Sequence, residues 1–540
     1  MKTKDYLLLC LFIVLVLIVY FPTRHAGFIL DFLAWQNNFN HGTFIDAFSS
    51  FGYRAQQQFF LLLFYSFYKL FHLQGFYWYV LFSGLHALNG WLLMLFFLRL
   101  FSKFNIPNGY PIAIIGTLLF LLSPYNAEVV VWKVCLHYLL TASFLLLIFH
   151  CAISWFETSR RIYLITSFIC FFLAMFSFEW SIIIPVATAL FAIFYNLSKP
   201  DNKAWLKKSA LLIAPQFLLL PLYFLLNNLM FGTTVGHYGQ EVHFSFDFYS
   251  SGSQYLKYFV KDLLFLRHFN HPTKMAVLDF FSRHEVILVS FLIILFLLIA
   301  ALIFYRKINP RIRLATLCLL MFFIALTPVS NLYMSMLLLS ENDRYGYFSS
   351  MFFFMMLIIL IYSLPAIIRY AMIVGLLSIS LILLIKTTVL WSEANNVYLG
   401  LINDFRWYNS KEVYVLNIPD NYHGIWMFRI INEPSALPEC LELIGDKKCD
   451  GTITDIAQYN MMAPGAGVTV SSDSLKQIHV MFNQWGNWWW RNAIGAGDYE
   501  TEKYAVHFVD NGYVLRMKEL DAMDTFIYQV GDKWEEFKLP

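Results

Sequence analysis

Charge is what this sequence has least of. Of its 540 residues only 14% are Asp, Glu, Lys or Arg, against roughly 25% in soluble proteins, while 59% are hydrophobic and 19% aromatic. That balance excludes an ordinary soluble chain and leaves a membrane protein. The net charge of +3 comes without a basic stripe, so no nucleic-acid partner is expected. Cysteine is sparse too: the seven include no CxxC pair and no Cys/His cluster at metal spacing, which leaves a zinc centre without ligands. Cys10, Cys135, Cys151, Cys170 and Cys318 lie in or beside apolar runs and read as small core hydrophobes. Cys440 and Cys449 flank a short polar loop in the tail, and a disulfide between them is expected if that tail lies outside the cytosol. No repeat of about 20–50 residues occurs. Met1–Tyr20 lacks a small-residue cleavage site, so it reads as a retained first span.

What the sequence does have is apolar runs of the length that crosses a ~30 Å hydrocarbon core. They predict eleven spans near 6–22, 76–98, 111–123, 134–154, 162–178, 181–197, 209–231, 285–305, 314–330, 345–364 and 370–391. Between the first two spans, FILDFLAWQNNFNHG and YRAQQQFFLLLFYSFYKLF are apolar on one side only, and both read as amphipathic helices lying along the membrane surface. With that register Arg99, Lys103, Arg160, Arg161, Lys199, Lys203, Lys207, Lys208, Arg306, Lys307, Arg311, Arg313 and Arg369 all fall on the cytoplasmic side, with the N-terminus. Counting the second piece as a span would turn most of them outward.

This topology puts Asp31, Glu128, Glu179, the 330–344 loop and the long loop Phe231–His284 on the outer face. Acids from separate turns converging on one face point to a site. The densest polar stretch is LLSPYNAEVVVWKVCLHYLL (Leu121–Leu140), where Pro124 is expected to break the helix and form a tight elbow carrying Glu128, Lys133 and His137. Lys133 and His137 are four apart, which a continuous helix would place on one face. The loop Phe231–His284 is rich in Gly, Ser, Tyr and His, and reads as irregular and long enough to cover a site. From Ser392 onward the runs EVYVLNI, GIWMFRI, GVTVS, QIHVMF, YAVHFV, GYVLRM and TFIYQV, separated by turn signals, predict a soluble β-rich or α+β domain. The domains are thus 1–391 in the membrane and 392–540 outside it. QWGNWWWR (Gln484–Arg491) reads as a sugar-stacking or interfacial patch, or simply as core.

Four stretches resemble a known family. YRAQQQFFLLLFYSFYKLFHLQGFYWYVLFSGLHALN keeps Arg54, Gly75 and His86; LSPYNAEVVVWKVCLHYLL keeps Pro124, Glu128, Val130 and Leu140; FSFEWSIIIP keeps Ser177, Glu179 and Pro185; ENDRYGYFSSMFF keeps Arg344, Tyr345, Tyr347 and Ser350. In this order they resemble the GT-C glycosyltransferases that use polyprenyl-phosphate-linked sugars, in particular the bacterial relatives of the transmembrane and tetratricopeptide-repeat O-mannosyltransferases. The resemblance covers Met1 to about Leu364. It departs from the family in having a single acid, Asp31, in the first outer loop, Phe178 before Glu179, Ser349 in place of a Pro, and no tetratricopeptide array.

The resemblance implies a GT-C-like, all-α polytopic membrane domain that moves a sugar from a lipid carrier to an acceptor outside the cytosol, in a bacterial inner membrane with a periplasmic tail. It implies Asp31 as the base. Arg344 suits the lipid phosphate, since a guanidinium grips phosphate oxygens in a fork, and Lys133 and His137 add cationic or donor groups. Glu128 and Glu179 bind sugar hydroxyls, orient the acceptor or hold Arg344; Arg54, His86, Tyr345 and Tyr347 face substrate. A salt bridge from Arg344 to Glu341 or Asp343, a helix-capping role for Asp31 and a satisfied core role for His137 remain open. No cofactor is required by these residues, and the lone Asp31 disfavours an obligatory divalent metal. Transfer of a whole lipid-linked oligosaccharide, a transporter or flippase, and a glycan-assembly scaffold are the alternatives; a transporter would show repeated halves and broken helices at mid-membrane.

Overall fold

The computed structural model describes residues 3–29, 31–43, 45, 56–196, 204–232, 247–303, 308–330, 342–407, 410–428, 435–448, 451–474, 476–483, 489–490 and 497–540. They fall into two compact units. One holds the described residues up to Arg24, those from 43 to 330 and 342–387; the other holds residues 25–42 and those from 388 onward.

The first unit is helical. Eight helices are long and apolar enough to cross a membrane: Asp5–Thr23, Gly75–Lys103, Lys133–Thr158, Glu179–Asn196, Ala204–Phe231, Pro310–Val329, Asp343–Ile361 and Ala366–Asp404. Two bent pairs, Gly109–Leu121 with Pro124–Val131 (52°) and Pro272–Phe281 with His284–Leu297 (61°), raise the count to as many as ten among the described residues. The reading of eleven spans differs at Arg161–Met175, whose 15 residues rise only about 22 Å. Large apolar side chains stay on the outside of these helices, as on Leu218, Leu229 and Phe296, which fits a hydrocarbon surround in place of water.

Both pieces of the first outer loop are helical where described. Gln58–Phe71 buries Phe60, Leu61, Phe64 and Tyr68 along one stripe, and Phe64 meets Trp78 edge-on at 5.5 Å between ring centroids. The long loop is not irregular where described: it contains the helices Phe248–Leu264 and His271–Phe281. Asp247 caps the first by accepting from the Tyr249 amide at 3.0 Å, and Asn270 caps the second by accepting from the Thr273 amide at 3.0 Å. Gly, Ser, Tyr and His weaken helix propensity only slightly each, and the caps with a buried face outweigh it. Residues 233–246 lie outside the described residues.

The second unit is mixed. Its first sheet runs in the order Lys533–Phe537, Thr525–Val530, Glu412–Val415, Thr452–Asp455, with Glu412–Val415 parallel to both neighbours. A five-stranded antiparallel sheet includes Val468–Ser474, Gln477–Phe482, Gly512–Met517 and Tyr504–Val509, and a third sheet includes Ile425–Trp426, Ile418–Tyr422 and Gln458–Met461. The seven runs read as strands all contribute one. Of Gln484–Arg491 only Trp489 and Trp490 are described, paired with Tyr459 and Gln458. Cys440 is buried and accepts from the Tyr398 hydroxyl at 3.1 Å; the disulfide expected between it and Cys449 involves a residue outside the described residues. Helix Asp31–His41 belongs to this unit, where Gln36 donates to the Leu443 carbonyl at 2.7 Å.

Candidate functional site

The elbow forms where Pro124 demands it. Ser123 is extended, its hydroxyl accepts from the Tyr125 amide at 3.3 Å, and Pro124 opens a single 3-10 turn that needs no N–H from it. The five-residue helix Ala127–Val131 follows and ends at Trp132, which is extended. Asn126 ties the elbow down, donating to the Phe120 carbonyl at 2.7 Å and accepting from the Ser350 hydroxyl at 3.3 Å.

This geometry brings Glu128 and Arg344 together across 216 residues of sequence. Glu128 is 0% exposed and accepts twice from Arg344, from the backbone amide at 2.7 Å and from Nη1 at 2.6 Å. Nη2 donates to the Tyr345 hydroxyl at 3.1 Å. The guanidinium carbon lies 4.6 Å from the Tyr345 ring centroid and 5.1 Å from that of Trp132, while its side chain is still 16% exposed. Charge-assisted bonds of this kind are roughly twice as strong as neutral ones. The cation is therefore neutralised and aimed by protein, within a side chain that is mostly but not wholly buried. Of the roles left open for Glu128, holding Arg344 is the one its contacts display; Asp343 is paired elsewhere, and Glu341 lies outside the described residues.

Lys133 sits next to Trp132 in the chain. It stands in the 3-10 turn Lys133–Cys135 that opens the helical span Lys133–Thr158, and His137 follows in its first α-helical turn. Lys133 is 1% exposed, its ammonium 5.3 Å from the Phe82 ring centroid. Among the described residues it has no ion-pair or hydrogen-bond partner. A buried, unpaired ammonium is costly, and the cost is relieved by an anion. His137 turns away into aromatics: Nδ1 meets the Val134 carbonyl at 2.9 Å and the ring lies 4.4 Å from Phe178.

The remaining candidates have other contacts. His86 and Tyr347 join at 2.9 Å in a buried network with Asn89 and Ser143, and the second ring nitrogen of His86 meets the Leu121 carbonyl at 3.3 Å. That network locks four helices together. Glu179 is half-buried and opens the turn Glu179–Ile183, whose Trp180 donates to the Ala325 carbonyl at 2.7 Å and stacks on Phe348 at 3.6 Å. Asp31 is half-buried at the start of its helix in the second unit. Arg54 lies outside the described residues.

Residues that the sequence reading passed over line the same turn. From helix Phe248–Leu264, Lys261 reaches Asp343 at 3.1 Å, both at most 3% exposed, and Tyr258 donates to the Asn342 carbonyl at 2.8 Å. The adjacent charges of Lys261 and Asp262 in an otherwise apolar YFVKDLL are the signal that was available. Asp262 is buried with Oδ2 unpartnered. Burial pushes its carboxyl up to about 7, with Lys261 opposing. A folded-state value raised above the unfolded one means the folded chain holds the proton longer, so stability falls as pH rises from about 4 to about 7. Asp262→Asn is expected to unfold at a higher temperature than wild type at pH 8, with the gap narrowing toward pH 5; a constant gap across that range would refute the assignment.

No group of three or more His, Cys, Asp or Glu residues suited to a metal ion occurs among the described residues.

These observations define a multi-pass membrane protein carrying a β-rich C-terminal domain, with a carboxylate-held guanidinium and a buried ammonium beside one helix break. No protein-family model and no curated protein matches the chain. Among solved structures it is similar to ArnT from Cupriavidus metallidurans bound to undecaprenyl phosphate (11% identity, TM-score 0.42, covering 85% of this chain and 94% of that one). It is likewise similar to the apo form of that protein (11% identity, TM-score 0.41, 83% and 89%). Likeness at this level leaves the functional reading to the residues themselves.

Proposed function

We propose that the chain is a membrane glycosyltransferase that moves a sugar from a polyprenyl-phosphate carrier to a hydroxyl acceptor on the outer side of a bacterial inner membrane. The observation that carries this reading is two cations beside Trp132: Arg344, aimed by Glu128 and 5.1 Å from the Trp132 ring centroid, and Lys133, the next residue in the chain, buried without a counter-ion among the described residues. Such a pair suits a phosphate held at the end of a lipid.

In the reaction the acceptor oxygen attacks the anomeric carbon and the carbon–oxygen bond to phosphate breaks. The bonding electrons leave with the polyprenyl phosphate, whose growing charge Arg344 and Lys133 stabilise. The acceptor proton goes to Asp31, the carboxylate assigned as base; such a group contributes about 10²–10⁴-fold. Tyr345 stacks on the guanidinium and restricts it.

The test offers the purified protein, in lipid nanodiscs, a panel of undecaprenyl-phosphate sugars with hydroxyl acceptors. Asp31→Asn is expected to lose transfer by at least about a hundredfold while keeping its expression level and its affinity for undecaprenyl phosphate. An Asp31→Asn variant as active as wild type would remove the base from this scheme and favour a scaffold.

A further inference from the structure

Residues 342, 343 and 344 form a turn in which each is held by a different partner. Arg344 is held through its amide and guanidinium by Glu128. Asp343 is held by Lys261 at 3.1 Å, and the Asn342 carbonyl by the Tyr258 hydroxyl at 2.8 Å. Asn342 itself is in the left-handed region at φ 61°, which Asn adopts more readily than most residues other than glycine. Helix Phe248–Leu264 supplies both Tyr258 and Lys261. It is in turn hooked to the elbow, because the Tyr125 hydroxyl donates to the Lys261 carbonyl at 3.1 Å. The Lys261 ammonium lies 4.2 Å from the Tyr258 ring centroid and 4.6 Å from that of Tyr125, so the two rings wall the ion pair from solvent. The turn approaches this helix closely: a Cβ on Gly346 would stand 3.1 Å from the Tyr258 ring.

A buried ion pair is a poor way to add stability, since desolvating both charges offsets most of their attraction. What it does well is fix geometry, because either charge left alone is strongly disfavoured. Here the fixed geometry is that of the residue immediately before Arg344.

We infer that Lys261 and Tyr258 are positioning residues for Arg344: from a helix that itself touches no proposed substrate group, they hold the turn that aims the guanidinium at a phosphate. The inference rests on the reading of Arg344 as the phosphate-gripping residue. It adds that this grip depends on helix Phe248–Leu264 being docked, through two contacts that do not involve Glu128.

The test is a thermodynamic cycle on the affinity of the full-length protein, in nanodiscs, for undecaprenyl phosphate. Tyr258→Phe removes one hydrogen bond and is expected to weaken binding about fivefold. The double change Lys261→Met with Asp343→Leu removes both charges of this ion pair, and is expected to weaken binding about tenfold. Lys261→Arg, which keeps the cation, is expected to stay within about twofold of wild type. In an Arg344→Ala background, Tyr258→Phe and the double change are expected to have no further effect, because nothing remains to be aimed. Equal losses in both backgrounds would mean a general structural role and overturn the inference, as would no loss in either. Binding by Arg344→Ala as tight as wild type would instead overturn the reading of Arg344, and the inference with it. Tyr258→Phe deletes a single oxygen, so the cycle survives even if the double variant fails to fold.

Discussion

Arg344→Ala is expected to cut sugar transfer by about 10²–10³-fold, the loss seen when one pre-aimed donor to a developing negative charge is removed. The guanidinium is already committed on one side, with Glu128 fixing Nη1 and Tyr345 receiving Nη2, so little reorganisation is needed when phosphate departs. Arg344→Lys keeps the charge but not the fork, and should fall between the two. Lys133→Met makes the companion measurement. It is expected to weaken undecaprenyl phosphate binding by about tenfold and, because it removes a buried ammonium without a partner among the described residues, to raise the unfolding temperature of the empty protein. Transfer by Arg344→Ala within a few-fold of wild type would dismiss the phosphate role.

The second large effect is on stability. Glu128 is fully buried and satisfied by two bonds from Arg344. Glu128→Ala removes the counter-ion of Arg344, whose side chain is only 16% exposed, and is expected to cost about 3 kcal/mol, the low end for breaking a buried pair because that side chain is not fully buried. Thermal unfolding in nanodiscs reads this directly. Adding Arg344→Met to Glu128→Ala should recover much of the lost stability and none of the binding. If the single variant is as stable as wild type, the pair does not anchor the elbow to the turn before Tyr347–Ile361.

Much of the architecture was written locally. Each of the eleven apolar runs lies on a helix, because hydrocarbon-length apolarity is a property of contiguous residues. Their number as full spans was less legible, since Arg161–Met175 is shorter than a bilayer core and the elbow splits Gly109–Leu121 from Pro124–Val131 by 52°. Pro124 announced that break. The strands of the tail were legible from alternation, but not the parallel pairing of Glu412–Val415 with strands that begin 40 and 113 residues later, at Thr452 and Thr525.

The site was legible only as a set of residue types. Holding Arg344 was one of three roles open to Glu128, yet their pairing spans 216 residues, and that of Lys261 with Asp343, which was not foreseen, spans 82. No periodicity reports a contact at such separations. Helix Phe248–Leu264 was missed because Gly, Ser and Tyr near its start read as loop, while its Asp247 cap and its buried Tyr258, Val260 and Lys261 reveal themselves only in three dimensions.

The bond from Gln36 to the Leu443 carbonyl joins residues 407 apart in sequence. During synthesis the helix Asp31–His41 leaves the ribosome early, yet its docking partner emerges only after the intervening chain has been made. At about 5–20 residues per second that is a wait of roughly 20–80 s. A chain stopped at residue 391 would therefore forfeit more than a tail: it would deprive the segment headed by Asp31 of the carbonyl that Gln36 grips.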